Sequence, residues 1–349
     1  MNHHRKLPIL GLLLVASLFL TSIDSIDSYI AAVKTGSATS KAPAIQTVNQ
    51  LFALDSRELR THEREQELLE RIRAEAKAKY IPPVNAKVDS VWKAIPGYNG
   101  VEVDIDQTFL LAKSSLAVDS QAEIPWVMKE VDPSVQLEDL GAQPIYKGNP
   151  NKPMAALMIN VAWGNEYIPS ILETLRKEQV KATFFFDGSW LNKNVETAKL
   201  IQAEGHEMSN HAYSHKDMSK LGPEAAREEI RKTEVLLREK LQVNNTLFAP
   251  PSGDFNMQTV RIAHELKLKT VLWTIDTVDW KKPDPSWIQM RISSRIEPGA
   301  MILMHPTSSS SRALPGMIQT MKQRGLTLGT VSELLSPKRV PSVEPQGKF

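Results

Sequence analysis

The chain has 349 residues, no cysteine, 42 basic and 40 acidic side chains, and a formal charge of +2. Such a length exceeds one ordinary domain. The near balance of charge gives no electrostatic reason to expect nucleic acid as a partner. The missing thiols exclude disulfides, Cys-ligated zinc and thiol catalysis, so any metal must be held by His, Asp or Glu. With 42% hydrophobic and 23% charged residues, the composition is that of a globular body with material for a core.

In chain order, Arg5 and Lys6 precede an apolar run from Leu7 to Leu20, the layout of a secretory signal or a short anchor. Thr21, Ser22 and Ile23 bring the run to the lower end of the roughly 17–25 residues that span a bilayer. No Ala-x-Ala cleavage site follows. Residues 1–23 are therefore read as a membrane anchor that places the chain outside the cytoplasm, with a secreted form if the segment is cleaved. Residues 24–55, rich in Ser, Thr, Ala and Asp without steady periodicity, read as a stalk.

Residues 56–150 read as a charged helix followed by a small α+β module. The helix, Ser56–Tyr80, carries only a narrow apolar stripe (Leu59, Leu68, Leu69, Ile72, Tyr80) and stops before Pro82 and Pro83. Val88, Val91, Trp92 and Ile95 have helical spacing, Pro96–Gly100 reads as a turn, and Val101–Ile105 alternates like a strand. The module reads as a packing or spacer element, with a non-enzymatic assembly role through residues 56–145 as the alternative.

From Met154 onward short apolar runs alternate with amphipathic segments, the pattern of repeated β-α units on a parallel sheet. The expected strands are Ala155–Val161, Ala182–Phe186, His206–Ser209, Thr246–Phe248, Thr270–Ile275, Met301–Met304 and Leu326–Val331. The expected helices are Tyr167–Gln179, Lys193–Glu204, Pro223–Lys240, Met257–Leu266, Trp287–Arg295 and Leu314–Arg324. About seven strands favour a closed or nearly closed barrel over an open sheet, and in either fold chemistry belongs to the loops after the strands. His211 and His215 follow the third strand, Asp279 and Trp280 the fifth, and His305 ends the sixth. Two histidines four apart can meet one metal on a turned loop, although the spacing alone is a weak signal. His206, His264 and His62 read as structural or exposed.

Over roughly Met154–Leu335 the chain resembles the polysaccharide deacetylases with NodB homology, carbohydrate esterase family 4. The resemblance is carried by His211–His215 (His-Ser/Thr-x-x-His in the family), by Asp276-Thr277-Val278-Asp279-Trp280 (Asp-x-x-Asp-Trp) and by Leu303-Met304-His305 (Leu-x-His). It implies an α/β, NodB-type distorted (β/α) barrel over residues 151–336, with residues 337–349 as a flexible tail. The arrangement is also similar to membrane-anchored deacetylase-like proteins of sporulating Gram-positive bacteria. That likeness implies peptidoglycan or spore-wall glycan as partner and hydrolysis of the N-acetyl amide of amino sugars as the family reaction.

Two motifs depart from the family. Ala162 and Trp163 stand where the resemblance implies a general base and a metal-ligating aspartate, and Ala249 stands where Arg is expected in Ala249-Pro250-Pro251-Ser252-Gly253. The implied site is then His211 and His215 for a divalent metal such as zinc, held weakly or not at all. Asp279 and His305 form the surviving acid side of the reaction, and Pro250, Pro251, Ser252, Gly253 and Trp280 border the substrate. Glu166 and Asp187 are candidate replacements for the lost carboxylates. Trp163 is either an aromatic plug or a platform for a sugar ring. The losses favour a pseudoenzyme that binds glycan, whereas the resemblance favours a slow hydrolase.

Overall fold

The computed structural model describes residues 43–340 apart from Ser120, together with Ala31 and Lys34. The expected anchor and most of the expected stalk lie outside the described residues. Among the described residues no helix is long and apolar enough to cross a membrane. A first helix, α1 (Pro43–Ala76), begins well before the expected position, so residues 43–55 of the expected stalk are helical. Residues from Leu69 onward belong to one compact unit, which contains both the small module and the barrel.

The module holds two antiparallel pairs, β1 (Lys87–Asp89) with β2 (Lys93–Ile95), and β3 (Gly100–Val103) with β4 (Met128–Val131). Helix α2 (Ile105–Val118) connects the second pair, with Asp104 accepting the Gln107 amide at its N-cap. The helix expected from Val88, Val91, Trp92 and Ile95 is absent. Asp89 Oδ1 accepts the amides of Val91 and Trp92 at 2.8 and 2.9 Å, which turns the chain into a hairpin and leaves Val88 and Val91 exposed. The Asn149 side chain donates to the Pro96 carbonyl, and Lys147 bridges to Ala300 beside the start of a barrel strand. The module therefore sits at the N-terminal end of the barrel, opposite the loops that carry the motifs.

The barrel strands are β5 (Met154–Val161), β6 (Thr183–Phe186), β7 (Glu207–Asn210), β8 (Leu247–Phe248), β9 (Lys269–Thr270), β10 (Ile275–Asp276), β11 (Met301–Met304) and β12 (Thr327–Gly329). All pair in parallel, in the order β10-β11-β5-β6-β7-β8-β9, with β12 beside the first half of β5. The two ends of that order are consecutive in sequence. The fifth expected strand, 270–275, divides into β9 against β8 and β10 against β11, with the Val271 amide on the Phe248 carbonyl and the Thr274 amide on that of Met301. One stretch of chain thus curls the sheet into the expected distorted barrel.

The outer helices are α3 (Ile168–Lys177), α4 (Gly188–Lys193), α5 (Val195–Ala203), α6 (Pro223–Leu241), α7 (Met257–Glu265), α8 (Pro285–Arg295), α9 (Ser308–Gln323) and α10 (Val331–Leu335). Helix α9 starts six residues before its expected position because Thr307 and Ser310 form a reciprocal cap. Val331, expected to end a strand, opens α10 behind the Thr330 cap.

Every residue of β5 is buried, because helices cover its outer face and the barrel lumen its inner one. Ala155, Leu157, Ile159 and Val161 pack with the helix layer, while Met154, Ala156 and Met158 pack inward with Phe185 and Met301. The alternation places Asn160 at the top of the inward series, where the lumen meets the loops. Residues 337–340, expected to open a flexible tail, are packed instead. Val340 is buried, Pro337 accepts the Asn99 amide, and the Arg339 guanidinium donates to the Asn99 carbonyl.

Candidate functional site

The sequence-expected residues converge on the C-terminal ends of the strands. His211 lies immediately after β7 and is fully buried, and its Nδ1–H donates to the Ala249 carbonyl at 2.7 Å. That bond fixes the tautomer and leaves Nε2 with its lone pair. Burial, then the neighbouring His215, lowers the His211 pKa to about 3, so the ring stays neutral. The His215 ring stands edge-on to it, 5.3 Å between centroids.

The loop between them is held in a strained form, with Ala212 and His215 both at positive φ (58° and 53°). Such conformations cost on the order of 1–3 kcal/mol each for residues with a Cβ. Glu229 on α6 offsets the strain: its carboxylate accepts the amides of Tyr213 and Ser214, the Ser214 hydroxyl and the Lys216 ammonium. Burial pushes its carboxyl up, but Ser214 and Lys216 outweigh that and leave it below the usual glutamate value. No local pattern in α6 marks Glu229 as the clamp of a distant loop, and sequence reasoning missed it.

On the opposite wall, Asp279 is completely buried and grips His305 twice. Its Oδ2 accepts the His305 amide at 2.6 Å, and its Oδ1 accepts the ring Nδ1–H at 2.8 Å. The expected acid dyad is therefore geometrically intact. Trp163 lies almost parallel to the His305 ring at 5.3 Å and edge-on to His215 at 6.3 Å. Gly164 makes this position accessible: it adopts φ +84°, and a Cβ there would stand 1.9 Å from the Pro306 carbonyl oxygen. The Trp163 side chain fills the space between the two histidine walls while remaining 44% exposed. One face of the ring covers His305, and the side chain is otherwise open to solvent.

Neither candidate replacement carboxylate reaches the histidines. Asp187 is consumed as the N-cap of α4, accepting from the Trp190 amide and the Ser189 hydroxyl. Glu166 is exposed and lines an outer groove. Among the described residues no group of three or more His, Asp or Glu side chains is placed to hold a metal ion. The donor set is two imidazoles without an anionic third ligand, which does not fit the Asp-His-His centre that the family uses.

What these residues enclose is a cavity of about 380 Å³. Asn160, Leu303 and Asp276 form its floor, His215, His305 and Ser252 its walls, and Trp163, Trp273 and Trp280 supply aromatic surface. Ser252 and Gly253 turn the third-motif loop at positive φ, and a Cβ on Gly253 would meet Trp273 at 2.8 Å. Pro251 is buried beneath that turn. Trp280, expected to border the substrate, is 51% exposed at the rim. An outer groove of about 840 Å³ continues from Trp163 and Trp280 toward Glu166 and Arg312. His206 is structural: it accepts the Ala182 amide and packs on Phe184, and burial lowers its pKa to about 4.

Comparison with known proteins agrees with this arrangement. The polysaccharide deacetylase family model matches residues 147–271. The chain is 48% identical over 260 residues to the uncharacterized protein YlxY of Bacillus subtilis, spanning 74% of this chain and 81% of that protein. It is 31% identical over 199 residues to the peptidoglycan-N-acetylglucosamine deacetylase of Bacillus cereus, spanning 56% and 72% of the two chains. Among solved structures it is similar to BA3943 of Bacillus anthracis, a CE4 family pseudoenzyme, with TM-score 0.71, 45% identity and coverage of 78% of this chain and 96% of that one. A mutant of that pseudoenzyme with restored enzymatic activity matches with TM-score 0.71 and 44% identity, covering 78% and 99%. The chain belongs to the polysaccharide deacetylase family.

Proposed function

We propose that this chain is a glycan-binding member of its family that holds peptidoglycan-type polysaccharide and hydrolyses its N-acetyl amides slowly or not at all. The observation that carries the reading is the Trp163 ring stacked on His305, where the motif would otherwise place a carboxylate beside the histidines. Without that ligand and without the base at Ala162, amide hydrolysis loses both the electrophile and the proton acceptor that the family reaction needs. Deacetylases of peptidoglycan N-acetylglucosamine and N-acetylmuramic acid among the relatives support the choice of glycan. The pseudoenzyme BA3943 and its mutant with restored activity support a fold that keeps its shape while its chemistry is switched off or on by substitution.

We further infer, from the basic flank and apolar run of residues 5–20, that the protein works at the outer face of the membrane. A role in sporulation follows only from its likeness to envelope proteins of spore formers. The intact Asp279–His305 dyad favours a second reading, a slow hydrolase.

Co-sedimentation of the whole chain with purified peptidoglycan tests the binding. Replacing both exposed rim tryptophans, Trp163→Ala with Trp280→Ala, is expected to weaken association about tenfold or more, since stacked aromatic contacts contribute roughly 0.5–1.5 kcal/mol each beyond their buried area. Unchanged binding of the double variant would place the glycan elsewhere.

A further inference from the structure

The cavity floor carries a group whose bonding is incomplete. Asn160 is 2% exposed, lines the cavity, and its Oδ1 has no hydrogen-bond partner among the described residues. A buried amide oxygen left so costs about 1–3 kcal/mol, which a ligand donor would recover. Beside it on the floor, Asp276 uses Oδ1 to accept the Val278 amide at 2.7 Å, and no bond among the described residues engages its second oxygen. No Lys or Arg lines this cavity, and Ala249 stands where the family places an arginine. The floor therefore offers acceptor oxygens, one of them on a carboxylate.

The aromatic lining suits the same chemistry. Trp163, Trp273 and Trp280 bring three indoles to one pocket, and indole faces attract cations. Trp280 already receives one, with the Lys281 ammonium 4.9 Å from its ring centroid. An N-acetyl group suits this floor less well than an amine, because its carbonyl oxygen would meet the Asn160 oxygen and the Asp276 carboxylate. An amine supplies N–H donors and positive charge to the same two oxygens.

We propose that the cavity takes the free 2-amino group of a de-N-acetylated amino sugar, so that the protein reads glycan from which acetyl groups have already been removed. The Asn160 oxygen and the Asp276 carboxylate receive the amine, and the rim tryptophans stack the sugar rings. A reaction that removes acetyl groups from the glycan must then precede binding. This inference rests on the glycan-binding reading and narrows it to one form of the polymer.

Titration calorimetry of the whole chain at neutral pH with two probes, the β-1,4 tetramer of glucosamine and the tetramer of N-acetylglucosamine, tests it. The amine tetramer is expected to bind at least about tenfold more tightly. Asp276→Asn, whose amide oxygen can still accept the Val278 N–H, should erase that preference. Asn160→Asp should tighten the amine tetramer. Equal or stronger binding of the acetylated tetramer overturns the inference while leaving the glycan-binding reading in place. A preference that survives Asp276→Asn overturns it as well, because attraction to the polycation would then lie elsewhere. If neither tetramer binds, both readings fall.

Discussion

Replacing Ala162 and Trp163 together by aspartate is expected to raise zinc affinity at least tenfold and to raise acetate release from N-acetylated glycan by roughly 10²–10⁴-fold, the usual contribution of a positioned general base. The scaffold for both effects is in place. His211 has its tautomer set by the Ala249 carbonyl, His215 is held by the loop that Glu229 clamps, and position 163 lies against His215. What is missing is an anion at one ligand position and a proton acceptor at the next. Trp163→Asp alone should therefore recover metal without much turnover, and Ala162→Asp alone should recover little of either. Zinc titration with acetate assays on the three variants separates these contributions. If the double variant binds zinc no better than the original chain, the histidines are not arranged as half of a metal centre.

Asp279→Ala is expected to destabilise the protein by about 3 kcal/mol, measured as a shift in the urea unfolding midpoint at constant slope. The buried carboxylate accepts both the backbone amide and the ring Nδ1–H of His305, and hydrogen bonds to a charged group contribute about 1.5–3 kcal/mol each. Truncation leaves two donors buried without acceptors and frees the imidazole on which Trp163 stacks. A loss below about 1 kcal/mol would mean that the turn after β11 reorganises easily, and the dyad would then be a soft feature of the site rather than a fixed one.

The barrel was legible because its strands are buried on both faces, so that Met154–Ile159 and Met301–Met304 read as apolar runs between amphipathic helices. The rim residues were legible because each follows a strand, where parallel α/β folds expose side chains to ligands. What escaped depends on contacts that sequence spacing does not encode. Val88, Val91 and Trp92 have helical spacing, but the Asp89 carboxylate captures the amides of Val91 and Trp92 and makes a hairpin. Residues 337–340 look like a polar tail, and they are fixed by Asn99, distant in sequence, and by burial of Val340. Asn160 attracted no notice as a motif departure; only its inward parity on β5, followed through to the cavity floor, shows that it meets the ligand space. Asp187 and Glu166 were reasonable replacement carboxylates by position, yet a helix cap claims one and the other points to the outer groove.

The most direct test is the zinc affinity of the unmodified whole chain, measured by equilibrium dialysis beside a His211→Ala, His215→Ala variant. Two imidazoles without a carboxylate should bind zinc weakly, and the variant should differ little from the original chain. Tight binding that disappears in the variant would reveal a third ligand at the histidine pair and would contradict the account of a dismantled metal centre.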